Sequence, residues 1–110
     1  MALQPGDIVI VDFVGATGVK RRPAVVVSSD EYHRTHLDVI LGVLTTSLRL
    51  ATTSADHVLI DWNVAGLRQP SAFRAYFSMA MSAAVVVVGR LSAIDWSMIQ
   101  DCVKRSIAIK

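Results

Sequence analysis

The sequence predicts a mainly β domain of the α+β kind: a small curled sheet or partly open barrel carrying one C-terminal helix. Three observations lead there. Five or six short apolar, β-branched runs recur between turn signals. The clearest helical spacing falls at the C-terminal end. Strands do not alternate with helices, which argues against a parallel α/β sheet. At 110 residues the chain reads as one domain spanning 1–110.

Each element has a local reason. Gly6-Asp7 is a turn entering a first strand that runs to Phe13, with Ile8, Ile10 and Asp12 on one side and Val9, Val11 and Phe13 on the other. Gly15 to Gly18 forms a mobile loop, and the short connection makes the first pair of strands antiparallel. Pro23 lacks an amide donor, so it stands at the start of a second strand covering Ala24 to Ser28. Residues 28–34 begin with cap-type side chains and read as a helical turn or loop. Asp38 to Leu44 is the third strand, ended by Thr45-Thr46-Ser47, and residues 49–55 form an exposed loop. A short strand from His57 to Ile60 precedes a turn that closes on Gly66. Pro70-Ser71 opens a strand reaching Tyr76, and Ala83 to Val88 is the last strand. Ser92 to Asp95 resembles a capping box with Asp in place of the usual Glu. In the helix that follows, Ile94, Met98, Cys102 and Ser106 form one row, with Ile99, Val103 and Ile107 beside it.

Composition narrows the class. Hydrophobic residues make up 53 % and charged residues 18 %, more apolar than an average soluble domain. That excess calls for a covered surface, most simply a second copy of the chain in a homodimer. The uncharged run 75–89 is shorter than the roughly 20 residues of a spanning helix and contains Val85-Val86-Val87-Val88, so it reads as a strand and not a membrane anchor. The N-terminus lacks a signal-peptide pattern, and the lone Cys102 excludes an intrachain disulfide; both fit a cytoplasmic protein. Cys102 itself reads as a small buried hydrophobe. Net charge is +2, mild overall, but Lys20, Arg21 and Arg22 are consecutive.

Most catalytic patterns are missing. His33 and His36 lack the companions of a zinc site, no phosphate-cradling glycine loop opens a helix, and no nucleophile elbow surrounds Ser28, Ser71 or Ser78. No metal or cofactor is expected. The remaining constellation is Arg22 with Thr45 and Thr46. A guanidinium offers a planar fork of donors that binds phosphate in two-pronged fashion and stabilises charge developing on phosphorus. A hydroxyl at a strand end can donate to the same phosphate.

In order and spacing, several motifs resemble the MazF/PemK family of toxin endoribonucleases from type II toxin–antitoxin pairs. They are Gly6-Asp7-Ile8-Val9-x-Val11-Asp12-Phe13 and Arg21-Arg22-Pro23-Ala24-Val25-Val26-Val27-Ser28. The strand ending in Thr45-Thr46 and the segment Trp62-x-x-Ala65-Gly66-Leu67-x-x-Pro70-Ser71-x-x-Arg74 follow, and Gly89-Arg90-Leu91-Ser92 comes last. The resemblance implies an SH3-like, partly open barrel, usually homodimeric. It implies metal-independent cleavage of single-stranded RNA, in which a 2′-hydroxyl attacks the adjacent phosphate to leave a 2′,3′-cyclic phosphate. It makes Arg22 and Thr45 the catalytic pair and places Lys20, Arg21, Thr46 and Arg74 along the substrate. A cognate antitoxin would cover the cationic groove with an extended acidic segment.

Two departures stand out. Val14 to Val19 contains no acid or histidine, where many members carry one, and Ala75-Tyr76-Phe77 follows Arg74 where members often have a polar residue. The general base is therefore open between Asp12, His33 and a relay through Thr45. Two alternative functions share the barrel: a non-enzymatic, CcdB-like topoisomerase poison, and a catalytically silent member that binds RNA or antitoxin.

Overall fold

The computed structural model describes residues 2–108. Its strands are β1 (Asp7–Gly15), β2 (Gly18–Val26), β3 (Asp38–Thr45), β4 (His57–Val58), β5 (Ala72–Met81) and β6 (Val86–Arg90). Helix α1 (Asp30–Thr35) follows β2, and α2 (Ala93–Ser106) closes the chain. The strands form one curled antiparallel sheet in the order β4-β5-β3-β2-β1-β6.

Each face of the sheet has its own core. On one, Ile8, Val25, Leu44 and Phe73 meet Ile99 and Cys102 of α2. On the other, Val9, Val11, Ala24, Val26, Val39 and Leu41 pack together away from that helix. Strand alternation produces this division: Ile8 lies opposite Val25, and Val9 opposite Ala24.

Several expectations need correction. The first connection is no mobile loop: Gly15 pairs with Gly18, so the hairpin runs to a two-residue tip. β2 begins at Gly18, which puts Lys20, Arg21 and Arg22 inside the strand instead of at its entrance. β5 extends to Met81, and the last strand starts at Val86 after a short 3-10 turn at Ser82–Ala84. β4 is only two residues long: Leu59 N still donates to Ser71 O in the β4–β5 register, but the next amides, Ile60 N and Asp61 N, turn to the Asp95 carboxylate.

The helix also turns differently. Its buried residues are Asp95, Ile99 and Cys102, while Ile94 and Met98 of the expected row are exposed. Asp95 is the cause. Ser92 caps the helix by accepting from Asp95 N at 3.2 Å, but the carboxylate does not complete a capping box. It points into the fold, where it accepts from Ile60 N at 2.9 Å, Asp61 N at 2.8 Å and His57 Nε2 at 2.7 Å. Burial by itself would raise this carboxyl, but these donors outweigh it and hold the group below the usual carboxylate range.

Motif segments far apart in sequence meet at β6. Asp7 lies opposite Arg90, and Arg90 Nη1 donates to Asp7 Oδ1 at 2.9 Å and Gln4 Oε1 at 2.8 Å. The loop closing on Gly66 lies directly on the Gly89 backbone: a Cβ at Gly89 would stand 1.9 Å from Ala65 O. Gly66 has φ +88°, a left-handed conformation that glycine adopts freely.

Candidate functional site

Three consecutive cations in a strand cannot share a face. Lys20 and Arg22 alternate with Ala24 and Val26, on the side away from α2. Arg21 is on the opposite side with Pro23 and Val25. The same division separates the two threonines. β2 pairs with β3 through Ala24–Val43, Val25–Gly42 and Val26–Leu41. The ladder ends at Ala24–Val43, and its register extended past that end aligns Arg22 with Thr45 and Arg21 with Thr46.

Arg74 joins the first group. It pairs with Val43, and Ala72 pairs with Thr45, so Arg74 stands two residues along β5 from the Thr45 position. Lys20, Arg22, Thr45 and Arg74 therefore share the side of the sheet away from α2, at the end where β2 and β3 part. Arg22 is exposed. The Thr45 hydroxyl accepts from Ser47 N at 3.1 Å, which leaves its own O–H free to donate outward. The Arg74 Nε is buried without a partner, while Nη2 donates to Tyr76 Oη at 3.4 Å.

Arg21 and Thr46 form a separate feature. They line a cavity of about 460 Å³ on the other face, together with Arg68, Gln69 and Ser71. Arg21 Nε also pairs with Asp12 Oδ1 at 3.2 Å, and both side chains are largely exposed. The expected cationic cluster is thus two: one around Arg22 and Thr45, one around Arg21 and Thr46.

Neither side-chain base considered from sequence faces Arg22. Asp12 sits opposite Arg21 on the other face. His33 is held in α1, where its Nδ1 donates to Leu3 O at 3.1 Å. Its Nε2 accepts from the Ser28 hydroxyl at 2.6 Å, and Ser28 Oγ in turn accepts from Ile40 N at 3.1 Å. This chain of bonds ties the N-terminal segment to β3.

Sequence reasoning missed Tyr76 and Arg68. Tyr76 sits in an irregularity of β5: Gly42 pairs with Phe77 and Val43 with Arg74, so Ala75 and Tyr76 have no partner on β3. The apolar run around them gave no sign of a bulge. Arg68 follows a turn whose approach to the sheet depends on tertiary contact.

These features define a small antiparallel half-barrel with a C-terminal helix and a cationic strand-end site. Residues 4–107 match the family described as PemK-like, MazF-like toxin of type II toxin–antitoxin systems, and the chain belongs to that family. Solved structures share the fold at low identity. An endoribonuclease in complex with its cognate antitoxin from a mycobacterial species superposes with TM-score 0.77 at 17 % identity, covering 96 % of this chain and 94 % of that one. A MazE–MazF complex from Deinococcus radiodurans gives 0.73 at 13 %, covering 100 % and 99 %. The Mycobacterium tuberculosis toxin MazF-mt6 gives 0.73 at 20 %, covering 91 % and 94 %. No curated protein matches the chain in sequence. Among the described residues, no helix is long and apolar enough to cross a membrane.

Proposed function

We propose that the chain is a metal-independent endoribonuclease toxin that cleaves single-stranded RNA and is neutralised by a cognate antitoxin. The observation that carries this reading is the shared face of Arg22, Thr45 and Arg74. In the reaction, the ribose 2′-oxygen bonds to the adjacent phosphorus and the P–O5′ bond breaks. The products are a 2′,3′-cyclic phosphate and a 5′-hydroxyl. Arg22 binds the phosphate and stabilises the charge gathering on its oxygens. The Thr45 hydroxyl donates to the same phosphate and fixes its orientation. Lys20 and Arg74 hold flanking phosphates. Arg21 and Thr46 contact the strand from the other side of the sheet end.

By strand alternation, the face around Arg22 carries Val11, Phe13, Val43 and Ala72, none of which can take a proton. The 2′-hydroxyl proton therefore passes to solvent hydroxide, directly or through Thr45, and the leaving 5′-oxygen takes its proton from water. Catalysis then rests on electrostatic stabilisation and orientation. The exposed apolar strands fit a homodimer, and the cationic strand end fits an acidic antitoxin segment.

The test is end-mapping on a defined single-stranded RNA with EDTA present. Wild type yields 2′,3′-cyclic phosphate ends at discrete sites, and Arg22→Ala does not. Intact RNA with wild type, or equal cleavage by both proteins, would refute the reading. Growth arrest with intact RNA and damaged DNA would instead favour a topoisomerase poison.

A further inference from the structure

We propose that Tyr76 is a nucleobase-stacking platform, which the β5 bulge presents beside the phosphate-binding Arg74. The inference rests on the RNA-cleaving reading above and adds to it a residue that contacts a base.

Four observations support it. First, Tyr76 is 58 % exposed, although it lies within a ten-residue strand. Second, the bulge that presents it has its own anchor. Ala75 N, unpaired with β3, donates to Asp56 Oδ1 at 3.2 Å. Asp56 also accepts at 3.1 Å from the N–H groups of Thr52 and Thr53, so the bulge is fastened to the loop ahead of β4. Bulges of this kind re-aim a side chain next to a site. Third, the Arg74 guanidinium carbon stands 4.6 Å from the Tyr76 ring centroid, and Nη2 reaches the phenol oxygen. That contact fixes the ring from one face and leaves the opposite face available. Fourth, the Arg74 guanidinium has no carboxylate partner among the described residues.

A nucleotide satisfies all of these groups together. Its phosphate supplies an oxygen for Arg74, and its base supplies a flat π surface for the free face of Tyr76. An apolar interface between two copies of the chain satisfies them less well, since burying the ring would also desolvate an arginine that has no carboxylate partner among the described residues. Stacking is tolerant of base identity, so Tyr76 adds affinity and fixes one nucleotide's position; it does not read a sequence by hydrogen bonds.

The experiment uses a 2′-O-methyl oligonucleotide, which lacks the attacking hydroxyl, spanning a mapped cleavage site. 2-Aminopurine is placed at each position in turn. With wild type, fluorescence at one position near the cleavage site is quenched on binding. Tyr76→Phe keeps that quenching and the affinity. Tyr76→Leu abolishes it and weakens binding about 5- to 150-fold. Circular dichroism and light scattering confirm fold and oligomeric state. If wild type neither binds nor cleaves RNA, both this proposal and the reading beneath it fall. If wild type cleaves RNA and Tyr76→Leu quenches and binds equally well, the proposal alone falls. If Tyr76→Leu loses its oligomeric state along with RNA binding, Tyr76 belongs to a protein interface and the proposal is overturned.

Discussion

Replacing Asp95 with alanine should unfold much of what holds α2 to the sheet. The Asp95 side chain is fully buried. Its two oxygens accept from Ile60 N, Asp61 N and His57 Nε2, so one carboxylate joins the β4 segment to the start of the last helix. Asp95→Ala leaves two backbone N–H groups and a ring N–H facing a void. Leaving these three buried donors without an acceptor costs about 3–5 kcal/mol in all. Against a total stability of roughly 5–15 kcal/mol, that is a large fraction. At about 4 °C per kcal/mol for a domain near this size, the midpoint falls by about 10–20 °C. Asp95→Asn keeps one oxygen but turns an amide donor toward other donors, and falls between the two. Urea and thermal unfolding followed by circular dichroism measure both.

The pH dependence has a definite sign. The folded carboxyl lies below its ordinary value, so its contribution is present above about pH 4 and is lost as pH falls through the lowered folded value. Wild type and Asp95→Asn should therefore converge in acid. A loss below about 1 kcal/mol for Asp95→Ala would refute this account, because a loss that small corresponds to a single ordinary hydrogen bond.

Three other perturbations separate structure from chemistry. Arg22→Ala should lower the cleavage rate about 100- to 1000-fold with unchanged thermal stability, since Arg22 is exposed and its loss removes one transition-state donor; single-turnover cleavage reads this. Gly89→Ala should destabilise strongly, because its Cβ would stand 1.9 Å from Ala65 O and the 62–67 loop must lift off β6; chemical denaturation is the measurement. With solvent taking the proton, the cleavage rate should climb steadily with pH through the neutral range; a plateau or bell in the pH–rate profile would reveal a protein group acting as base.

How much was legible in the sequence depended on the range of the signal. Strand identities followed from local runs, and the antiparallel first pair followed from its short connection. The strand ends were less visible, because pairing partners set them: β2 reaches back through its cations because β1 runs alongside as far as Gly15. Asp95 looked like a capping residue, since its acceptors' partners lie more than thirty residues away. Asp7 and Arg90 belonged to separate motifs, and only the fold makes them one ion pair.

The run Lys20-Arg21-Arg22 shows how the site was both visible and hidden. As a cluster it pointed to one place, and the structure sets Lys20, Arg21 and Arg22 together within β2. As a strand it obeys a period of two, so one neighbour of Arg22 must face away from it. Arg22→Ala and Arg21→Ala should then differ in kind as well as degree. In the proposed reaction Arg22 touches the reacting phosphate, so its loss should lower the rate of bound substrate. Arg21 sits over the Asp12 side chain beside the second cavity, so its loss should weaken RNA binding with the bound rate little changed. Single-turnover rates across RNA concentration separate these effects. Equal losses in the saturated rate for both variants would mean that the two arginines act on one phosphate, contrary to the alternation of β2.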